Sequence, residues 1–168
     1  NTLISATKIK QIPIINPIKS AQGVDIYEDK IEGHTYVCTV DVSRGVDKDY
    51  SAFLVFDVSK MPYKVVAKYR SNEIKPFVFP NIINRVCLAY NHAHILTEVN
   101  DIGQQVAEAL QFEIEYPNIL MTTQKGRAGQ ILGAMFSGRG SSMGVRMTKQ
   151  IKRVGCSNLK TVVEGDKL

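Results

Sequence analysis

The chain has 168 residues, 44% of them hydrophobic, which is enough for one domain with an ordinary core. No apolar run approaches the roughly 20 residues that cross a bilayer, and no charged-then-apolar leader opens the chain, so we predict a soluble, intracellular protein without membrane contact. The three cysteines form no C-x-x-C pair, so we predict neither a zinc cage nor a disulfide framework. The net charge of +5 is unevenly placed: residues 1–123 carry 12 basic and 14 acidic side chains, and residues 124–168 carry 9 and 2.

Residues 1–33 mix prolines and glycines with short isoleucine-rich pieces and hold no sustained period, which predicts an N-terminal connecting arm. Isoleucines left in water are costly, so we expect the arm to pack on this domain or on one upstream. The isoleucines concerned are Ile9, Ile12, Ile14, Ile15 and Ile18. Residues 34–168 are predicted to form one domain, truncated at its carboxyl end because the last four residues offer no obvious finish to the fold.

Three runs of apolar and β-favouring residues follow, at residues 36–42, 51–58 and 63–70. The first run is nearly continuous in apolar character, which predicts a central strand covered on both faces. Short turns separate the three runs, so we predict an antiparallel meander.

The middle of the chain alternates helical and strand patterns. We predict a helix that ends near Asn91, a strand at residues 94–99, a helix over residues 102–110 and a strand at residues 118–123. Crossover helices of about a dozen residues make the strands that they join parallel, so this part is predicted to continue the sheet with parallel strands.

The last quarter is rich in glycine and then in basic residues. Residues 124–147 contain six glycines, which predicts a mobile loop or hairpin, and residues 148–168 predict a basic amphipathic helix with a kink or break at Gly155. A basic segment beside an acidic one suits a polyanion, because phosphate contacts dominate nucleic-acid affinity. A solvated basic face is the alternative interpretation.

Two acidic residues stand out because they interrupt apolar strands. Asp41 lies in the first predicted strand, and Glu98 lies near the end of the strand at residues 94–99. A carboxylate held away from water is unfavourable unless a cation or hydrogen bonds compensate. If the two strands are parallel neighbours, roughly 4.8 Å apart, both side chains reach one site at the carboxyl ends of the strands.

This pair of carboxylates predicts a site for Mg²⁺ or Mn²⁺, and two such ions suit phosphodiester hydrolysis. Asp49, in the turn after the first strand, is a secondary metal candidate, although aspartate is common in turns for its local hydrogen bonds. A turn-capping role for Asp41 and an exposed strand end for Glu98 are the alternatives. No G-x-x-x-x-G-K-[ST] loop occurs, so a motor ATPase would have to lie elsewhere.

Several local sequences resemble one family, the large terminases of tailed bacteriophages. Residues 40–45 (Val-Asp-Val-Ser-Arg-Gly) with residues 49–52 (Asp-Tyr-Ser-Ala) resemble the first nuclease motif of the myovirus-type members. Residues 95–100 (Ile-Leu-Thr-Glu-Val-Asn) resemble the second motif, and residues 153–160 look like the later basic segment. The resemblance covers about residues 30–168, with its pieces in order.

The resemblance implies an α/β, RNase H-like fold: a mixed sheet of three antiparallel strands followed by two parallel strands, with helices on both faces. It also implies a two-metal-ion endonuclease that cuts concatemeric viral double-stranded DNA when packaging begins and ends, in the host-cell cytoplasm. Asp41 and Glu98 would be two of three catalytic acids. No match to the third appears before Leu168.

The implied partners are double-stranded DNA, an upstream ATPase domain of the same polypeptide, the portal protein and the small terminase subunit. The resemblance places the glycine-rich basic stretch beside the DNA groove. The basic residues that we expect to bind DNA are Lys125, Arg127, Arg139, Arg146, Lys149, Lys152 and Arg153.

Two other functions fit the same residues. The missing third acid allows a DNA-gripping module of the packaging motor that has no cleavage activity. A resolvase or a ribonuclease H would use the same fold and acids, and would differ in its choice among branched DNA, RNA–DNA hybrid and plain duplex.

Overall fold

The computed structural model describes residues 3–44, 49–124, 130–134 and 141–168. The strands are β1 (Lys19–Ala21), β2 (Val24–Ile26), β3 (Tyr36–Asp41), β4 (Ser51–Asp57), β5 (Lys64–Ser71), β6 (His94–Thr97), β7 (Leu120–Gln124), β8 (Gln130–Ala134) and β9 (Ser141–Met143). The helices are α1 (Ala6–Gln11), α2 (Phe79–Ala89), α3 (Gly103–Glu108) and α4 (Lys149–Glu164), with a π-helical segment, Ala109–Glu113, directly after α3.

The main sheet has six strands in the order β1-β2-β5-β4-β3-β6. Its pairs are antiparallel except β3 with β6, which run parallel because α2 carries the chain from one edge of the meander to the other. The predicted meander of three strands and the parallel strand after the first helix are therefore confirmed. An isolated parallel bridge, Ile95 to Ile119, continues the order beyond β6 just before β7 begins.

One face of the main sheet carries the hydrophobic core. Alternate residues of β3 and β4 point to it, as strand geometry requires, and α2 and α3 cover it. Phe53 of β4 stacks on Tyr69 of β5 and on Phe79 of α2, with ring centroids 5.3 and 6.1 Å apart. Cys38 and Cys87 are buried in this core, whereas Cys156 is only half-buried.

The segment predicted as a connecting arm, residues 1–33, contributes to the sheet. Its β1–β2 hairpin adds two strands at the β5 edge, with Val24 opposite Tyr69. The isoleucines that were expected to pack stay exposed in this domain, from 47% for Ile9 to 100% for Ile14. The division into an arm and a domain remains a prediction.

The segment over residues 124–147 was predicted as a loop or hairpin. In its described parts, β8 and β9 pair antiparallel with the two sides of β7, which forms a second sheet of three strands. Strands pair through backbone hydrogen bonds, which need no long apolar run, so composition alone understated the strand content here.

The predicted C-terminal helix exists, but the predicted kink or break at Gly155 is wrong. Helix α4 is continuous from Lys149 to Glu164, with the Thr148 hydroxyl accepting a hydrogen bond from the Ile151 N–H at 3.2 Å. A single glycine costs a helix only about 1 kcal/mol, which the rest of the helix can absorb. Within the described ranges, no helix has the length and apolar character of a membrane span.

Candidate metal and nucleic-acid site

Asp41 and Glu98 come together at the carboxyl ends of β3 and β6. The register pairs Val40 with Thr97, and the Glu98 N–H donates to the Val40 carbonyl at 2.8 Å. Continuing that parallel register by one residue places Glu98 opposite Asp41. Residues paired in parallel strands project to the same face about 4.8 Å apart, so one cation can lie between the two carboxylates.

The face that carries the two acids is the one opposite the core. Val40 and Thr97 are buried on the helix-covered face, so their successors Asp41 and Glu98 point away from it. Leu96 and Ala52 line an apolar groove on this second face together with the acids. The acids therefore lie at the end of a shallow groove in the sheet.

The premise that Asp41 is held away from water is wrong. Asp41 is the last residue of β3, and its side chain is exposed, whereas Glu98 is half-buried. Apolar neighbours along the chain indicated an internal strand position, but Asp41 is the last residue of β3 and points away from the helix-covered core face. The two acids nevertheless converge from neighbouring parallel strands, as the register of β3 with β6 requires.

The electrostatics of the pair favour a bound cation. Burial, followed by the negative charge of Asp41, raises the pKa of the Glu98 carboxyl above its ordinary value, and the positive charge of Lys152 opposes this increase. Two like charges at this separation repel each other in the ionised state. Because carboxylate oxygens are the preferred ligands of hard divalent cations, the residues present fit such a metal.

Asp49, the secondary candidate, follows Asp41 in the chain and comes directly before Tyr50 and β4. Its side chain is exposed and lines a cleft of about 510 Å³ together with Asp41 and Asp101. The Ser43 hydroxyl donates to the Asp49 carbonyl at 2.8 Å, which links Asp49 to the residues that follow β3. Among the residues that the structure describes, no group of three His, Cys, Asp or Glu side chains is close enough to hold one ion.

An ion pair that was not predicted from the sequence links the segments that follow the two acids in the chain. The Arg44 guanidinium donates to both carboxylate oxygens of Asp101, at 2.9 and 2.8 Å. Hydrogen bonding from Arg44 lowers the pKa of the Asp101 carboxyl. Each residue lies three positions after one of the acids, so the pair ties the β3 end of the site to the β6 end.

A glycine brings α3 against the backbone of Glu98. A Cβ atom added at Gly103 would lie 1.9 Å from the Glu98 carbonyl oxygen, far inside van der Waals contact. Only glycine allows α3 to begin this close to the acid. Sequence analysis missed this residue, although a lone glycine at the start of a helical stripe was the available signal.

The basic residues expected to bind DNA are only partly described. Lys125, Arg127 and Arg139 lie outside the described residues. Arg146, Lys149, Lys152 and Arg153 precede or begin α4, and all four are exposed. Met147, just before α4, lines the same groove as the two acids, and the charge of Lys152 acts on Glu98, so the beginning of α4 lies near the acids.

Comparison with protein families matches residues 38–168 to the terminase RNaseH-like domain. A solved structure of the large terminase nuclease from thermophilic phage G20c with bound cobalt is 17% identical, with a TM-score of 0.71 over 99% of this chain and 72% of that chain. The same nuclease with bound magnesium gives 0.69 over the same shares, and with bound zinc 0.67 over 99% and 79%, both at 17% identity. At this identity the matches to solved structures show a shared fold, and the family match confirms the predicted RNase H-like class.

Proposed function

The chain belongs to the terminase RNase H-like domain family, as its motifs predicted, and on that premise we propose that it is a metal-dependent endonuclease that cuts viral double-stranded DNA during genome packaging. The cuts would be made in concatemeric DNA when packaging begins and ends. The observation that carries the proposal is the pairing of Asp41 with Glu98 on one sheet face, at the carboxyl ends of neighbouring parallel strands.

Asp41 and Glu98 would hold the metal, with Asp49 as a secondary ligand. A divalent cation there supplies a Lewis acid that lowers the pKa of water and stabilises negative charge on a phosphate. Glu98 gains most from a cation, because both burial and Asp41 disfavour its charged form. Asp41, exposed at the strand end, faces the side from which DNA can approach.

The G20c nuclease structures with bound cobalt, magnesium and zinc support a divalent-cation site in this fold. We propose Mg²⁺ or Mn²⁺ because an all-carboxylate site prefers hard cations. We propose two ions because phosphodiester hydrolysis has an attacking oxygen and a leaving oxygen to stabilise. A third acid, which the resemblance implies, would complete the set.

The cellular setting follows from the family. We propose that the domain acts in the cytoplasm of the host cell and follows an upstream ATPase domain of the same polypeptide. Its other proposed partners are the portal protein and the small terminase subunit. The basic residues 146–153 at the start of α4 would hold the DNA backbone next to the acids, since phosphate contacts supply most of the affinity for duplex DNA.

A second candidate function is a DNA-gripping module that does not cut. The observation that favours it is that, among the described residues, no third acid lies close enough to Asp41 and Glu98 to share one ion with them. Such a module would bind DNA with a steep salt dependence and respond little to divalent metal.

Incubation with supercoiled plasmid separates these functions. The chain, and in parallel a version extended past Leu168, is mixed with plasmid in Mg²⁺, Mn²⁺ or excess EDTA, and the nicked and linear products are measured. We expect cutting by the extended version in either metal and none in EDTA. Binding without cutting by both versions would favour the gripping module, and a preference for branched DNA or RNA–DNA hybrid over plain duplex would favour a resolvase or a ribonuclease H.

The Arg44–Asp101 pair provides a prediction about the geometry of the site. Both side chains are exposed, at 68% and 63%, so removing the pair should hardly change the melting temperature. We expect Asp101→Asn to slow cutting about threefold. The segments that follow Asp41 and Glu98 in the chain lose the ion pair that links them, so the relative position of the two carboxylates becomes less well fixed.

A double-mutant cycle checks this interpretation. If the two residues act through one contact, Arg44→Gln combined with Asp101→Asn should slow cutting no more than either change alone. Additive losses would show that the two side chains act separately, for example by contacting DNA on their own.

A further inference from the structure

Arg70 shares a row of the sheet with the two acids. The register places Asp41 of β3 opposite Ala52 of β4, and Ala52 opposite Arg70 of β5. Glu98, Asp41, Ala52 and Arg70 thus occupy one line across four neighbouring strands and point to one face. Tyr69, the residue before Arg70, is buried in the core on the other face, and Arg70 itself is exposed.

Geometry fixes how far Arg70 is from the acids. Strands are about 4.8 Å apart, so two steps across the sheet separate the backbones of Asp41 and Arg70 by about 10 Å. Ala52, between them, has the smallest side chain that a strand residue other than glycine can carry. Ala52 lines the groove that also contains Asp41 and Glu98, so there is open space over Ala52 next to the acid.

An aromatic ring holds the guanidinium in place. The Arg70 guanidinium carbon lies 3.5 Å from the centre of the Tyr50 ring, and Tyr50 lines the same cleft as Asp41. Stacking on a ring occupies the flat face of the guanidinium and leaves the N–H groups at its edge directed outward.

The other basic residues of β5 are neutralised, which sets Arg70 apart. Lys64 pairs with Glu28 at 2.7 Å, and Lys68 pairs with Asp25 at 3.2 Å. In the part of the chain that the structure describes, Arg70 has no acidic partner within ion-pair distance.

We propose that Arg70, held by Tyr50, binds a backbone phosphate of the DNA next to the one that is cut. A planar guanidinium with outward N–H groups matches two oxygens of a phosphate, and the open space over Ala52 lets the sugar-phosphate backbone pass from the acids to the arginine. Arg70 is thus a positioning residue that fixes which phosphodiester lies over the acids. The assignment rests on the proposed function, because it takes duplex DNA as the ligand.

Binding of a short fluorescent DNA duplex, followed by anisotropy at several salt concentrations in Ca²⁺, tests the assignment without requiring cleavage. We expect Arg70→Gln to weaken binding about tenfold and to reduce the slope of log affinity against log salt by about 0.9, the value of one phosphate contact. Arg70→Lys keeps the positive charge but loses the planar group that can donate to two phosphate oxygens. We therefore expect this variant to have the slope of the unchanged protein and only part of its affinity. Tyr50→Leu should weaken binding by a smaller factor.

The matched control is Arg85→Gln, which removes an exposed arginine from α2 on the core side of the sheet. It should change neither affinity nor slope. A slope for Arg70→Gln equal to that of the unchanged protein would overturn the assignment, even if the protein cuts plasmid normally and the proposed function stands. A reduced slope in a protein that never cuts would support the phosphate site and reject the nuclease, and a protein that binds no duplex at all would reject both.

Discussion

Asp41→Asn is expected to reduce plasmid cutting by about 1000-fold or more, because the change removes the negative charge through which the acid pair would hold a divalent cation. The neutral amide keeps the shape of the side chain. It also removes the repulsion that Asp41 exerts on the half-buried Glu98. The metal-free variant should therefore melt at the same temperature as the unchanged protein, or slightly above it.

The measurement is the initial rate of plasmid nicking in saturating Mg²⁺, made in the version extended past Leu168, with melting recorded in EDTA. Asp29→Asn is the matched control, since Asp29 is an exposed aspartate in the loop after β2, away from the site. It should cut at the normal rate. Nicking by Asp41→Asn at that same rate would remove the acid pair from the mechanism.

Gly103→Ala is expected to lower both stability and cutting. The new methyl group would lie 1.9 Å from the Glu98 carbonyl oxygen and 3.8 Å from the Val42 side chain. Backbone atoms cannot yield as the end of a long side chain can, so α3 or the strand end must move. We expect a loss of about 3 kcal/mol in the free energy of unfolding, and a large loss of cutting because Glu98 moves with its carbonyl.

Denaturant unfolding measures the first effect and plasmid nicking the second. Gly155→Ala provides the control, because nothing lies within 4 Å of a Cβ atom at that position in α4. It should raise the free energy of unfolding by about 0.5–1 kcal/mol, as alanine favours a helix more than glycine does. Equal stabilities of Gly103→Ala and Gly155→Ala would show that α3 does not approach Glu98 as closely as described.

The strand pattern of the chain was predictable because it is a local property. The apolar run at β3, the short turns of the meander and the helical spacing before β6 each lie within a few residues, and the structure reproduces them. The two acids were found in the same way, as charges in apolar surroundings. Asp41 was predicted to be held away from water, and this was wrong. A run of apolar residues does not show whether the last residue of the strand is exposed.

The candidate site was predictable only in outline. Glu98 and Asp41 could be expected at one end of the sheet, but Arg44 and Asp101 are 57 positions apart and carry no sequence signal of their contact. Arg70 likewise looks like an ordinary basic residue at the end of a strand. Its place in the row of the acids appears only when two registers, β3 with β4 and β4 with β5, are known.

Short segments of the chain were sufficient to identify the order and type of the elements from β3 to β6, the two acids, the basic last quarter and the family. Periodicity, charge and motif are all local properties. The tertiary structure alone decided which residues face each other: Asp41 and Glu98, Arg44 and Asp101, and the pairing of β2 with β5. A shift of one residue in any strand would turn its side chains to the other face, and that choice is made by packing across the whole sheet.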